Sequence, residues 1–67
     1  MRITYNKLWK LLIDRNIKKT RFRELADISG ATIAKMNNGG HISTRILLRI
    51  CEVLDCDFTD IMEIVRQ

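Results

Sequence analysis

Apolar residues recur along this chain at intervals of three and four, the spacing of helices that bury one face. Tyr5, Leu8, Trp9 and Leu12 fall at i, i+3, i+4 and i+7 and predict a first helix that starts after Thr4 as its N-cap. Its end is expected near Arg15 and Asn16, because asparagine tolerates the left-handed backbone of a helix C-terminus, and Ile17 then packs back on the core. A short second helix is expected over about Lys19 to Ala26, with Phe22, Leu25 and Ala26 inward. Ser29 reads as the N-cap of a third, Gly30 to Met36 or Asn37, whose buried pair is Ile33 and Met36. Asn37, Asn38, Gly39 and Gly40 tolerate positive φ and end it. Ser43 caps a fourth helix, in which Leu47, Ile50, Cys51 and Leu54 repeat the stripe.

A fifth helix is expected after Asp57. That residue is its N-cap, Asp60 follows three positions on at the positive end of the helix, and Cys56 can touch Ile61 as a hydrophobic staple. Ile61, Met62 and Val65 would dock it. Strict apolar–polar alternation, the strand signal, is absent over any useful length. There is no repeat, low-complexity tract or internal boundary. The expectation is an all-α fold of five helices in a single domain over residues 1–67. Trp9, Phe22 and Phe58 are expected in or beside the core, the alternative being platforms for stacked bases, and Met36 and Met62 are expected as core filler.

Composition sharpens this picture. A chain of 67 residues has a thin core, but an apolar fraction of 46% suffices for a globular fold. No apolar run approaches the roughly 18 residues of a membrane span, and no signal-peptide pattern opens the chain, so a cytoplasmic, nucleoid-associated protein is expected. Cys51 and Cys56 sit among Leu, Val and Ile and read as reduced, buried thiols, with a disulfide or a metal pair as the alternative. His41 is the lone histidine, so a tetrahedral metal site lacks ligands at the right spacing. Charge is unevenly spread. Residues 1–49 carry eleven basic side chains against Asp14, Glu24 and Asp27, eleven less three giving +8, whereas residues 50–67 carry Arg66 against five acids, a balance of −4. That layout suits a basic face for a polyanion, or else a solvated surface of uneven charge. No Cys–His or Ser–His–Asp set and no glycine-rich phosphate loop is present, and enzyme is the weakest class.

The stretch from Lys19 to Met36 is a short helix, a tight turn and a second helix inside the basic region. Phe22, Ala26, Ile28, Ile33 and Met36 are placed to fix two helices at a steep angle, which leaves Gly30, Ala31, Thr32, Ala34 and Lys35 outward. The run Ile28-Ser29-Gly30-Ala31-Thr32-Ile33-Ala34-Lys35-Met36, the Asn-Asn-Gly after it and Leu47-Leu48-Arg49-Ile50-Cys51-Glu52-Val53-Leu54 resemble the Cro/cI-type (XRE) helix-turn-helix regulators of bacteria and phages. The closing segment Cys56-Asp57-Phe58-Thr59-Asp60-Ile61-Met62-Glu63-Ile64 is similar to that of small stand-alone members, and the likeness covers essentially the whole chain.

The resemblance implies a lambda-repressor-like domain that binds double-stranded DNA without a cofactor. It implies base contacts from Gly30, Ala31 and Lys35, with Thr32 and the capping Ser29 beside them. It implies phosphate contacts from Lys18 and Lys19 at the start of the preceding helix and from Asn38 in the following loop, and a backbone or minor-groove contact from Arg45. The chain departs from many members at Arg23, where alanine is common, and at Asp27, where glycine is common. An arginine stem can pack while its charge stays outside, and aspartate tolerates left-handed geometry. Gly30 and Ala31 cannot form bidentate base contacts, so direct readout is expected to be modest, led by Lys35 on guanine, with phosphates supplying most affinity. His41 is expected in a loop, with phosphate contact as its alternative.

The leading function is a transcriptional regulator, a repressor, that reads two half-sites as a homodimer. Ile46, Leu48, Val53 and Ile64 lie off the main stripes and either form a dimer patch or complete a small core. The alternative function is a protein-interaction module of the same fold, an antitoxin-like partner-binding component whose DNA binding is weak or secondary.

Overall fold

The computed structural model describes residues 1–66. Residue 67, the last position of the domain expected over 1–67, lies outside the described residues. In chain order the elements are β1 (Arg2–Thr4), α1 (Asn6–Asp14), α2 (Lys19–Ala26), α3 (Gly30–Asn37), α4 (Thr44–Leu54), a 3₁₀ turn (Phe58–Asp60) and β2 (Glu63–Val65).

Four α-helices lie where the apolar periodicity puts them. Tyr5, Leu8 and Leu12 bring α1 into the core, Phe22 and Ala26 bring α2, Ile33 and Met36 bring α3, and Leu47, Ile50, Cys51 and Leu54 bring α4. Trp9 is half-buried against this cluster and Ile17 packs on it. Leu25 departs from expectation: it is 41% exposed, because Phe22 and Ala26 alone occupy the inner face of so short a helix.

Local chemistry sets the helix ends. The Thr4 hydroxyl accepts the Asn6 N–H at 3.3 Å, so Thr4 satisfies a free donor of α1 although Tyr5 holds the cap position. Asn16 takes φ 58°, and the Ile17 N–H turns back to the Leu12 carbonyl at 2.8 Å. Ser29 caps α3 by accepting the Thr32 N–H at 3.1 Å, and Ser43 caps α4 by accepting that of Ile46 at 3.3 Å. Asp55, at φ 51°, closes α4, and Arg15 Nη1 donates to the Leu54 carbonyl, which ties the ends of α1 and α4 together.

The expected fifth helix is not formed. Asp57 and Asp60 do make a capping box: Asp57 Oδ1 accepts the Phe58 N–H at 2.6 Å and Asp60 Oδ2 accepts the Asp57 N–H at 2.9 Å. What it opens is a single 3₁₀ turn, after which Glu63–Val65 runs antiparallel to Arg2–Thr4, with Ile3 opposite Ile64. A helix this short gains little from its own hydrogen bonds. The β-branched Ile64 and Val65 suit a strand, and pairing also satisfies the backbone of Arg2–Thr4. The fold is therefore four helices with a short strand pair, rather than all helix. Ile61 is fully buried and Met62 packs on the core, as expected, but Phe58 stands 39% exposed at the start of the turn, outside the core expected to take it.

Candidate nucleic-acid interface

The α2–turn–α3 unit is built from a left-handed residue and a side-chain brace. Asp27 sits at φ 54°, and the N–H groups of Asp27 and Ile28 both return to the Arg23 carbonyl. Ile28 is buried in the turn. Arg49, half-buried on α4, donates from Nη1 to the Asp27 carbonyl at 3.1 Å and approaches that of Ala26 at 3.5 Å. The carbonyls left free at the end of α2 thus meet a cation.

From that turn α3 projects with one face covered and one open. Ile33 and Met36 are buried, while Gly30, Ala31, Ala34 and Lys35 are exposed and Thr32 is half-buried. The Ser29 and Thr32 hydroxyls lie 3.1 Å apart and share a hydrogen bond. Lys35 leans on the loop that follows: the Gly40 N–H donates to its carbonyl at 2.8 Å, and a Cβ on Gly40 would overlap Lys35 Cγ. At the other end of α3, the Arg23 guanidinium lies over Gly30.

Charge is laid out along the same elements. None of the four helices has an acid in its first turn. Instead Lys18 and Lys19 stand at the start of α2 and Arg45 in the first turn of α4, all exposed, at helix ends whose partial charge is already positive. Cations there oppose the helix dipoles, and an external anion relieves both. Lys19 is also held: its Nζ lies 4.3 Å above the Trp9 ring and 3.4 Å from Asn37 Oδ1, so it links α1, α2 and the end of α3. Asn38, exposed, closes α3, and His41 is exposed in the loop beyond. The acids Glu52, Asp55, Asp57, Asp60 and Glu63 lie exposed on the second half of α4, the 3₁₀ turn and β2.

The residues picked from sequence thus fall into three groups: Lys18 and Lys19 opening α2, Ser29, Gly30, Ala31, Thr32, Lys35 and Asn38 on α3 and its ends, and Arg45 on α4. Three contributors make contacts that the sequence does not display. Arg23 stood out only as a departure from alanine, and neither Arg49 nor Gly40 carries a periodic signal that reveals its contact.

The thiols are poor candidates for chemistry. Both cysteines are free. Burial, then the neighbouring Cys56 and the acids Asp57 and Asp60, push the Cys51 thiol up to about 11. Burial also raises Cys56. Among the described residues no group of three or more His, Cys, Asp or Glu is arranged to hold a metal ion, and no helix is long and apolar enough to cross a membrane.

Residues 7–67 match the family model of the Cro/C1-type helix-turn-helix DNA-binding domain. The chain belongs to that family. The matched stretch of this Cro/C1-type domain begins inside α1, so β1 precedes it. The fold is also similar to the crystal structure of the transcriptional regulator VanUg, at a TM-score of 0.92 and 50% sequence identity, over 98% of this chain and 88% of that one. A comparison with curated proteins finds no match.

Proposed function

We propose that this chain is a transcriptional regulator, a repressor, that binds a short duplex operator with α3 in the major groove. One observation carries this reading: α3 buries Ile33 and Met36 and leaves its outer face, with Lys35, uncovered. The proposed contact set is Lys35 on a guanine, Ala31 or Thr32 against a thymine methyl, and Ser29 and Gly30 at the groove entry. Lys18, Lys19, Asn38 and Arg45 take the phosphates. The family of the chain and the likeness to a transcriptional regulator support this assignment.

The reading includes a homodimer, because one module of this size makes few contacts and two half-sites about 34–36 Å apart multiply them. Of the four residues considered for its surface, Ile46 and Val53 are half-buried against the core, while Leu48 and Ile64 are more than half exposed. The dimer patch is therefore narrowed to Leu48 and Ile64, with Phe58 added. The chain acts as one domain in the cytoplasm, at the nucleoid.

Binding to duplex should weaken steeply with salt, with a log–log slope of about −0.9 per neutralised phosphate. Lys35→Ala should lower affinity for the preferred site by about 1–3 kcal/mol and relax its specificity, whereas Lys19→Ala should weaken all sequences alike. A reporter promoter carrying the selected site should be silenced by the protein. Exposed Leu48 and Phe58 beside Asp55 and Asp57 favour a second reading, a partner-binding module. Absence of duplex binding at low salt would defeat the first reading and leave the second.

A further inference from the structure

The two residues that lead α3, Gly30 and Ala31, have no side-chain donor or acceptor for a base edge. A neighbour supplies one. Arg23 is exposed on α2, and its guanidinium spans the turn to lie over Gly30: a Cβ built on Gly30 would stand 3.6 Å from Cζ, 3.7 Å from Nη1 and 3.8 Å from Nη2. Three nearly equal distances mean that the guanidinium lies with its plane across Gly30, so its rim of N–H donors stays open. Any longer side chain at position 30 would compete for that seat. The backbone beneath is fixed, since the Arg23 carbonyl accepts the N–H groups of both Asp27 and Ile28.

Three other arginines on the helices or at their ends are occupied. Arg15 donates to the Leu54 carbonyl, Arg21 pairs with Glu24 at 3.2 Å and Arg49 braces the turn. Among the described residues the Arg23 side chain has neither an ion pair nor a hydrogen bond, and it is placed one helical turn beyond Lys19 on the same side of α2. That is about 6 Å nearer the start of α3 than the cation assigned to phosphate.

We propose that Arg23 is a specificity-determining residue of the interface, reading O6 and N7 of a guanine beside the first turn of α3, in place of the groups that Gly30 and Ala31 lack. This rests on the reading of the chain as a duplex-binding regulator. The planar arginine fork meets both acceptors at once with fixed geometry, whereas a lysine ammonium meets them as a point charge on a flexible stem.

The test selects bound duplexes from a random pool with the parent chain, Arg23→Ala, Arg23→Met and Arg23→Lys, and then measures affinity on the parent's selected site and on an unrelated duplex. Arg23→Ala should lose about 10- to 100-fold on the selected site and much less on the unrelated one, and one guanine should drop out of its consensus. Arg23→Lys should select that guanine less strongly than the parent does. Arg23→Met keeps the stem, so it carries the same comparison if the alanine variant melts early. An unchanged consensus, or an equal loss on both duplexes, overturns the base-reading role while duplex binding by the parent stands. A parent chain that enriches no sequence overturns the regulator reading, and the role of Arg23 with it.

Discussion

Replacing Arg49 with methionine should loosen the turn between α2 and α3 without altering either helix. The Arg49 guanidinium is the only side chain among the described residues that donates to the carbonyls ending α2, at 3.1 Å to Asp27 and 3.5 Å to Ala26. The longer contact lies at the limit of a hydrogen bond and contributes little, so one charge-assisted bond is at stake. Such a bond contributes about 1.5–3 kcal/mol when desolvated. Arg49 is only half-buried, which favours the lower figure, and the cation at a helix C-terminus adds a few tenths at most under screening. Methionine keeps an apolar stem of similar length, so packing is largely retained. The expected loss is about 1.5 kcal/mol. For a chain of this size each kcal/mol shifts the melting midpoint by about 4–8 °C, which puts the variant roughly 6–12 °C lower. Thermal and urea unfolding followed by circular dichroism read this directly, with an unchanged m-value as the sign that the compactness of neither state has moved. Arg49→Lys should recover part of the loss, because an ammonium reaches one carbonyl without the planar fork. A methionine variant that melts within about 2 °C of the parent would show that the brace contributes nothing to the turn.

Three further outcomes follow from contacts nearby. Gly39→Ala should cost about 1–2 kcal/mol in denaturant unfolding, because φ is 70° there and a Cβ would stand 2.9 Å from the Ile3 carbonyl oxygen; a neutral result would mean that the loop gives way freely. Gly40→Ala should displace the Lys35 stem and weaken duplex binding, and its stability cost should shrink in a Lys35→Ala background, where only the 3.0 Å approach to the Lys35 carbonyl remains; strict additivity in that double-mutant cycle would rule out the Lys35 overlap as the cause. For Cys51, the thiol stays protonated in the folded chain up to about 11, against an ordinary value of 9.0, so between those limits the unfolded chain binds fewer protons and stability should fall as pH rises. At neutral pH the same shift leaves about 100-fold less thiolate, and alkylation of folded Cys51 should be slower by a similar factor, a rate equal to that of an unfolded control being the contrary result.

The legible part of the fold is the part with local causes. Ser29, Ser43 and Asn16 act within four residues of themselves, and the stripe Leu47, Ile50, Cys51, Leu54 needs only the helical period to be recognised. The outer face of α3 follows from the same period, which puts Lys35 on it. Asp57 and Asp60 mark a cap in the sequence and form one in the fold, but a cap marks a beginning and not what comes next. The pairing of Glu63–Val65 with Arg2–Thr4 is distant in sequence, and strands of three residues are too short to show an alternation. Arg49 was hidden for the same reason, since its contact with Asp27 crosses 22 positions and joins a side chain to a backbone. Arg23 was visible as an anomaly but not as a contact, because its significance depends on the bare surface of Gly30.

The strand pair that periodicity does not reveal is joined to the interface by backbone packing. The Ile3 carbonyl fills the space where a side chain on Gly39 would begin, so the loop after α3 runs directly against β1. Tyr5, the next residue but one, is buried, and its hydroxyl reaches the Gly40 carbonyl at 3.4 Å. Gly40 in turn seats the stem of Lys35. A ladder of three residues is marginal alone, and here Ile3, Ile61 and Met62 hold it to the core. A fifth helix in place of β2 would leave the backbone of Arg2–Thr4 unpaired and take away the support behind Gly39. The last turn and strand therefore bear on α3 through the loop: they fix the wall on which the loop rests, and the loop fixes where the lysine on the open face of α3 can lie.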